Sequence, residues 1–367
     1  MKAKTWGLAA AAVTACAPMA AHAQSSVTLY GIIDVGIEYV NNANASSQSL
    51  VRMQSGNLYG SRWGIKGEED LGGGLTAFFL LENGFNVNDG TLGQSGRMFG
   101  RRAYVGLRRD GNEIQLGRMQ TPIYETMAAF DPNEVGVYAA DSHDIGLVAR
   151  ADNAVKFKKT IGGFTGQVMY SFGYDTAGKP YGGAAGDASN AKNLGASLVY
   201  KGGSWRAALA YDKVHGPLTS TAYGIGMMST ALVPKTTSSA DRAERYLAAL
   251  RWDQGKNSAF VGYRFLKTTV AGVTHDVNMA YLGDEYQFTP TFVADATVYH
   301  SRVSGLDVRP TTLVVDFDYL LSKRTDLYLN TSYAFNTRLS NLSVDAGSTT
   351  LAGKDQFGAQ AGIRHRF

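Results

Sequence analysis

The chain has 367 residues and a formal net charge of +4, of which Lys2 and Lys4 contribute two. The +2 that remains gives no support for nucleic-acid binding. No later stretch approaches 18 apolar residues, which argues against a membrane-spanning helix. The 43 glycines, 20 tyrosines and 16 phenylalanines against only 8 prolines are typical of many short strands, tight turns and aromatic girdles.

Residues 1–23 have the pattern of a secretory signal peptide. A cationic start and an Ala-rich apolar run lead to Ala-His-Ala at 21–23, so cleavage would leave a mature chain that begins at Gln24. The single cysteine, Cys16, would leave with the signal, which predicts a mature protein without disulfides or cysteine metal sites. A lipoprotein site at Cys16 and an N-terminal membrane anchor are alternatives, but the apolar run is short for either.

The remaining chain, 24–367, alternates apolar and polar residues. Around Asp34 and Glu38, for example, every second residue from Val27 to Tyr39 is apolar apart from Gly31. Successive side chains of a strand point to opposite faces, so one face is apolar and the other is polar enough to contact water. Sixteen segments follow this pattern: 26–40, 51–68, 74–86, 99–109, 112–119, 148–159, 162–174, 191–201, 204–214, 242–254, 256–268, 276–288, 291–303, 309–321, 326–338 and 355–367.

The links between these segments alternate between short turns such as RDGN and KGG and mostly longer loops, among them 175–190, 215–241 and 269–275. This alternation predicts an all-β fold, a transmembrane antiparallel β-barrel of 16 strands with both termini on the short-turn side. Closure removes the strand edges that lipid cannot satisfy. A β-sandwich or β-helix also alternates, but neither explains one systematically long set of loops.

One connection, Thr121 to Asn153, is unusually long, contains two prolines and several carboxylates, and follows neither the helical nor the strand period. Irregular connections of this length are rare in compact domains. At membrane depth such backbone is tolerated only inside protein or against water, and a wide barrel offers that place in its lumen. We therefore expect the connection to fold inward.

Several motifs resemble the general diffusion porins of Gram-negative outer membranes, in particular the betaproteobacterial type. They are QSSVTLYGIIDVGIEY, SRWGIKGEEDLGGGLTAFFLLENGF, FGRRAYVGL, IQLGRMQTPIYE and the terminal GIRHRF, and they cover about 24–172 and the last strand. The resemblance implies a trimeric sixteen-stranded barrel in the outer membrane, open to the passive diffusion of small hydrophilic solutes and ions. It also implies that the third extracellular loop, here 120–147, narrows the channel.

The resemblance further implies a constriction with arginines on the wall opposite loop carboxylates. The matching wall positions are Arg62, Arg101 and Arg150, with the wall carboxylate Glu82, and the matching loop positions are Asp131 and Glu134. Strand parity points Arg62 and Lys66 inward, and it selects Arg102 in place of Arg101, so both of these arginines are retained. The loop also brings Glu125, Asp141 and Asp144. Structural ion pairing with the loop is the alternative role for these arginines, and the two roles are compatible. The positive balance and the wall arginines favour a weak anion preference.

The C-terminal segment alternates apolar residues from Phe357 to the terminal Phe367. A terminal phenylalanine in this setting is similar to the signal that the outer-membrane assembly machinery reads. The alternative is a closing strand whose last ring lies in the aromatic girdle. Both interpretations place Phe367 at a bilayer interface.

The sequence offers little sign of catalysis, and no cofactor is expected. Its six histidines include no pair at metal-ligand spacing, and the GxSxG, HExxH and phosphate-loop motifs do not occur. The adjacent His143-Asp144 could suggest a general base but is more typical of a solvated loop. An outer-membrane adhesin or receptor, and less favoured an outer-membrane hydrolase, are the alternatives to a channel.

Overall fold

The computed structural model describes residues 26–174, 191–216, 225–228, 238–345 and 347–367. The predicted signal peptide at 1–23 lies outside the described residues, as do the connection at 175–190 and most of the one at 215–241. No helix in the described ranges is long and apolar enough to cross a membrane.

Regular structure in these ranges consists almost entirely of strands. They are Ser26–Val40 (β1), Leu50–Ser55 (β2), Arg62–Gly72 (β3), Leu75–Gly84 (β4), Arg102–Arg109 (β5), Asn112–Gln120 (β6), Arg150–Ile161 (β7), Phe164–Ser171 (β8), Lys192–Gly202 (β9), Trp205–His215 (β10), Arg242–Gln254 (β11), Asn257–Val270 (β12), Val273–Thr289 (β13), Phe292–Val303 (β14), Thr311–Leu320 (β15), Thr325–Phe335 (β16) and Gln356–Arg366 (β17). The helical segments are Gly93–Gly96 (α1), Pro122–Phe130 (α2) and the 3-10 turn Ala140–His143.

The strands form one closed antiparallel sheet. The sheet closes because β1 pairs with β17, in a register that runs from Ile32 opposite Arg366 to Val40 opposite Gly358. On its other side, β1 pairs first with β3 and then with β2, which follow one another along its length. These two count as one interrupted strand, so the prediction of a 16-stranded antiparallel barrel is confirmed.

The interruption was not foreseen, because the sequence predicts one continuous strand over 51–68. Residues 56–61 leave the sheet between β2 and β3 and fold around the buried carboxylate of Asp34. The backbone N–H groups of Leu58 and Tyr59 donate to Asp34 Oδ2 at 2.9 and 2.7 Å. The segment therefore has a specific internal partner that alternation alone cannot indicate.

The two faces of the barrel differ as the alternation predicts. On β1, Val27 is 70% exposed and Leu29 61%, whereas Asp34 and Glu38 are completely buried from solvent. The outward face is thus apolar and the inward face carries the charged side chains. This is the arrangement that a lipid exterior and a wet interior require.

One connection is shorter than expected. The link at 269–275, grouped with the mostly longer loops, is a two-residue turn because β12 and β13 continue to Val270 and Val273. Ala271 and Gly272 both adopt positive φ, 47° and 79°. Two consecutive residues of this kind make the type I′ turn that matches the twist of a hairpin.

The long connection after β6 contains a helix, which corrects the expectation of irregular structure. Thr121 caps α2 by accepting a hydrogen bond from the N–H of Tyr124 at 3.4 Å, and Pro122 occupies the first turn. Both are ordinary signals of a helix start. The helix buries Ile123 and Met127 in a cluster with apolar side chains of the inward face.

Candidate functional site

The segment between β6 and β7 contacts strands that lie far apart in the sheet. The Tyr138 hydroxyl donates to Glu38 Oε1 of β1 at 3.1 Å, and the backbone N–H of Val137 donates to the carbonyl of Asn57 at 2.8 Å. Contacts at its other end reach β11 to β15. All of the strand side chains it uses are on the charged, inward face.

Asp131 anchors this segment to β14. Its Oδ1 accepts from the Tyr299 hydroxyl at 2.5 Å and its Oδ2 from the backbone N–H of Ala140 at 2.8 Å. The residue is 2% exposed, and this burial raises the pKa of its carboxyl to about 6. Asp131 therefore holds the shape of the segment, whereas the sequence suggested a carboxylate that faces the arginines.

Asp144 is the second anchor and forms a fully buried ion pair. Arg245 donates to its two oxygens at 2.8 and 2.9 Å, and Arg264 Nη1 lies 3.2 Å from Oδ2. All three side chains have no exposed area. Burial opposes ionisation, but the two guanidinium groups outweigh it and lower the pKa of the Asp144 carboxyl.

His143 is also buried, although the sequence suggested a solvated position. Its ring nitrogens lie 2.9 Å from Ser301 Oγ and 3.0 Å from Thr312 Oγ1. Burial lowers its pKa to about 3, and nearby Arg264 acts in the same direction. The imidazole is therefore neutral and enclosed, and the carboxylate beside it is paired with two arginines. We interpret this arrangement as structural, since Ser301, which His143 contacts, is buried.

The arginines of β3 to β5 gather around the single carboxylate of Glu82. Arg101 Nε lies 3.0 Å from Oε1, Arg102 Nη2 lies 2.6 Å from Oε2 and Arg62 Nε lies 3.8 Å from Oε2. Glu82 sits directly opposite Arg102 in the sheet, and Tyr30 donates to it at 2.7 Å. Arg101 and Arg102 thus reach the same carboxylate. Both can do so because Arg101 precedes the first residue of β5 and is not bound by the alternation of that strand.

The other residues selected from the sequence lie outside the cluster around Glu82. Lys66 Nζ lies 5.7 Å from the centre of the Tyr30 ring, and the Arg150 guanidinium lies 5.5 Å from the Tyr124 ring of α2. Glu125 accepts from Lys156 Nζ at 2.8 Å and so faces β7. We refer to Arg62, Lys66, Arg101, Arg102 and Arg150 as the arginine arc.

A second charged arc lies on β13 to β15. Glu285 is directly opposite Asp295, which is directly opposite Asp316, so three carboxylates form one row across three neighbouring strands. Directly opposed side chains have Cβ atoms roughly 4.5–5.5 Å apart. One oxygen each of Asp295 and Asp316 lacks a hydrogen-bond partner among the described residues. Asp318 follows at the next inward position and pairs with Arg364 Nη2 at 3.0 Å.

Glu134 belongs to the same negative region. It follows Asp131 and Asn133, whose side chains bind Tyr299 above this row. Its side chain keeps solvent exposure, but desolvation by the surrounding protein raises its pKa to about 7; Arg364 works against that rise, and Glu285 adds to it. We refer to Glu134, Glu285, Asp295, Asp316 and Asp318 as the carboxylate arc.

Sequence reasoning found the arginine arc but missed most of the carboxylate arc. Glu134 was selected from the sequence, yet nothing linked it to Glu285, Asp295, Asp316 and Asp318 on three neighbouring strands. Pairing the predicted strands in register would have aligned the three carboxylates in one row. Within the described ranges, no group of three or more His, Cys, Asp or Glu side chains is arranged to hold a metal ion.

Comparisons with known proteins agree on one family. A family model described as Gram-negative porin matches residues 8–339. An outer membrane porin protein of Bordetella pertussis is 31% identical over 398 aligned positions, which cover 98% of this chain and 99% of the relative. Outer membrane porin protein 32 of Delftia acidovorans is 31% identical, covering 95% and 96%.

Solved structures give the same result. An anion-selective porin from Comamonas acidovorans matches with a TM-score of 0.79 and 25% identity, covering 94% of this chain and 100% of that one. A Vibrio cholerae outer membrane protein solved in a trimer form matches in fold, with a TM-score of 0.68 and 13% identity.

Proposed function

Because this chain belongs to the Gram-negative porin family and forms a multi-pass barrel of the outer membrane, we propose that it is a passive channel whose selectivity is set by two opposed charged arcs. The observation that carries this proposal is the position of the arcs. The arginine arc spans β3 to β7, and the carboxylate arc spans β13 to β15, about half the circumference away. Opposed charge creates a transverse field that orients permeating dipoles.

We propose that residues 120–147 fold into the lumen and form its constriction. The contacts of this segment with β1, β11, β12 and β14 support the proposal, because inward-facing side chains on such distant strands can be reached only across the interior. Glu134 then faces the lumen, Glu125 braces α2 against β7, and Asp131 and Asp144 keep the segment in place.

Anion preference is part of the proposal. The arginine arc contains five cations, three of which pair with its one carboxylate, Glu82, and the structural neighbour with the TM-score of 0.79 is named an anion-selective porin. In a planar bilayer, purified protein should conduct ions and show a reversal potential of anionic sign in a salt gradient. Absence of conductance would instead favour the adhesin or receptor alternative.

Size limitation provides an independent test. Liposomes that contain the protein should swell in small neutral sugars and resist larger ones, because the proposed constriction sets a narrow cross-section. We also propose that the chain has no enzymatic activity, since its relatives are porins. Purified protein assayed for ester and peptide hydrolysis separates this proposal from an outer-membrane hydrolase.

Assembly is proposed to follow the same family pattern. The chain would be secreted through its signal peptide at 1–23, inserted with help from the assembly machinery that reads Phe367, and associated as a homotrimer. The Phe367 ring is 44% exposed on the outward face, which supports its accessibility to a partner or to lipid. Deletion of Phe367 should slow insertion without reducing export across the inner membrane. Normal accumulation of folded trimer in that variant would contradict the role.

A further inference from the structure

Tyr59 places an aromatic ring on the inward face of the barrel, beside the arginine arc. Its backbone N–H donates to the buried carboxylate of Asp34 at 2.7 Å, which fixes the residue outside the regular sheet. The centre of its ring lies 5.8 Å from Cζ of Arg62, 4.8 Å from Cζ of Arg364 and 5.8 Å from Cζ of Arg366. At these distances a guanidinium group is attracted to the face of an aromatic ring. Three inward-facing cations therefore hold the ring in place.

Two of these three arginines remain open to solvent. Arg364 is 5% exposed and pairs with two carboxylates, so it backs the ring without facing solvent. Arg366 Nη1 lies 2.9 Å from Asp326 Oδ2, but 37% of the arginine side chain is exposed. Arg62 Nε lies 3.8 Å from Glu82 Oε2, which is beyond hydrogen-bond distance, and 15% of its side chain is exposed. Asp326 and Glu82 have almost no exposed area, so the charges of these two pairs that face solvent are positive.

An apolar side chain lies between the two open arginines. Arg62 and Arg366 are the cross-strand neighbours of Ile32, one on each side of β1. Directly opposed residues have Cβ atoms roughly 4.5–5.5 Å apart, which places the two arginine Cβ atoms about 10 Å apart. Ile32 is partly exposed between them. We refer to Ile32, Tyr59, Arg62 and Arg366 as the aromatic shelf.

We propose that the aromatic shelf binds aromatic carboxylates as they pass through the channel, an inference that rests on the proposed channel function. Arg62 and Arg366 receive the carboxylate, because planar guanidinium groups match its geometry. The ring of the solute packs on Tyr59 and Ile32, a surface that an inorganic anion cannot use. A ring pair in offset or edge-to-face contact contributes about twofold to tenfold in affinity. The shelf thus selects among anions of equal charge.

The test compares three monovalent acids as blockers of the chloride current through the full-length protein in a planar bilayer. Wild-type protein should bind benzoate at least about tenfold more tightly than acetate, which has no ring. It should bind benzoate about threefold more tightly than cyclohexanecarboxylate, which has a similar size but no aromatic character. Equal affinity for benzoate and either of the other acids would overturn the proposal. This comparison does not depend on the folding of any variant.

Variants of the aromatic shelf separate the contribution of the ring from that of the charge. Tyr59→Leu keeps an apolar side chain and should remove the preference for benzoate over cyclohexanecarboxylate, with acetate binding unchanged. Tyr59→Phe keeps the ring and should behave as the wild type. Arg366→Gln should weaken all three acids by a common factor of about tenfold, because each presents the same carboxylate.

Tyr104→Leu is the matched control. Tyr104 lies on β5, opposite Leu80 and Gly117 and away from the aromatic shelf, so its removal should leave all three affinities unchanged. Equal losses in Tyr104→Leu and Tyr59→Leu would overturn the assignment to Tyr59. A protein that does not conduct would contradict both the channel and the aromatic shelf, whereas an anion-selective channel that binds benzoate no better than acetate would contradict the aromatic shelf alone.

Discussion

The arginine arc and the carboxylate arc occupy opposite sides of the same barrel, yet they are built differently. The arginine arc is centred on Glu82, which accepts from Arg101, Arg102 and Tyr30 and fixes their positions. The carboxylate arc has no such centre, because its row on β13 to β15 places like charges directly opposite one another. Within this arc, Arg364 forms an ion pair with Asp318.

This difference shows where the fold gives up stability. Like charges that face each other across strands are destabilising, so we expect the row of Glu285, Asp295 and Asp316 to lower the stability of the barrel when its carboxyls are ionised. An ordinary polar residue at any of the three positions would relieve the repulsion. We interpret the row as the negative side of the transverse field, with the arginine arc as its positive side.

The largest expected effect comes from releasing the segment that, on our proposal, lies between the arcs. Asp144→Asn leaves Arg264 buried without its ion-pair partner and Arg245 with Asp212 alone, 3.5 Å from its Nη1, which costs about 3–5 kcal/mol in unfolding free energy. Denaturant titration should show this loss, and single-channel conductance should rise as the segment detaches.

A matched control uses an exposed ion pair of the same chemistry. Arg108 pairs with Glu68 at the short-turn end, and both side chains are more than two-fifths exposed. Arg108→Gln should therefore change stability by less than about 1 kcal/mol and leave conductance unchanged. Equal effects of the two variants would show that Asp144 does not anchor the segment.

The next prediction compares the two faces of strand β15, which carries Asp316 and Asp318 of the carboxylate arc. Phe317 is 38% exposed on the outer surface, whereas neighbouring Asp316 is 7% exposed on the inner one. Phe317→Arg should reduce stability by roughly 2–4 kcal/mol if the site lies near the midplane of the bilayer. Asp316→Arg should be tolerated, because it adds a cation to a negative row. Refolding into lipid vesicles measures both, and a reversed order would contradict the assigned facing.

A smaller effect should follow from pH. Burial raises the pKa of Asp131 to about 6, and desolvation by the surrounding protein raises the pKa of the more exposed Glu134 to about 7. A carboxyl whose pKa is higher in the folded than in the unfolded state takes up a proton more readily when folded. Stability from this source is therefore present at low pH and is lost as pH rises through 6 and 7.

Selectivity should change in the same interval. Acidification from pH 8 to pH 5 neutralises Glu134 and should move the reversal potential toward anions, while Asp144 stays ionised because Arg245 and Arg264 hold its pKa low. Glu134→Gln should remove most of this pH dependence. A shift toward cations on acidification would contradict the assigned position of Glu134.

Much of the barrel was predictable because alternation reports burial directly, strand by strand. Residues 56–61 were missed because their conformation depends on a tertiary partner, Asp34, whereas α2 was missed although Thr121 and Pro122 provide local signals of a helix start. In the site, the arginines were identified from motifs, whereas the roles of Asp131 and Asp144 depend on Tyr299 and Arg245, which are distant in sequence. Pairs so far apart leave no local signal.

The central claim is that two arcs of opposite charge set the selectivity, and reversal potentials in a salt gradient test it most directly. Arg62→Gln with Arg150→Gln should shift the potential toward cations, and Asp295→Asn with Asp316→Asn should shift it toward anions. Asp131→Asn, as a buried control, should have little effect. Both shifts should shrink between 0.1 M and 1 M salt, as the screening length falls from ~10 Å to ~3 Å. Shifts of the same sign from the two double variants, or no shift at 0.1 M salt, would contradict the account.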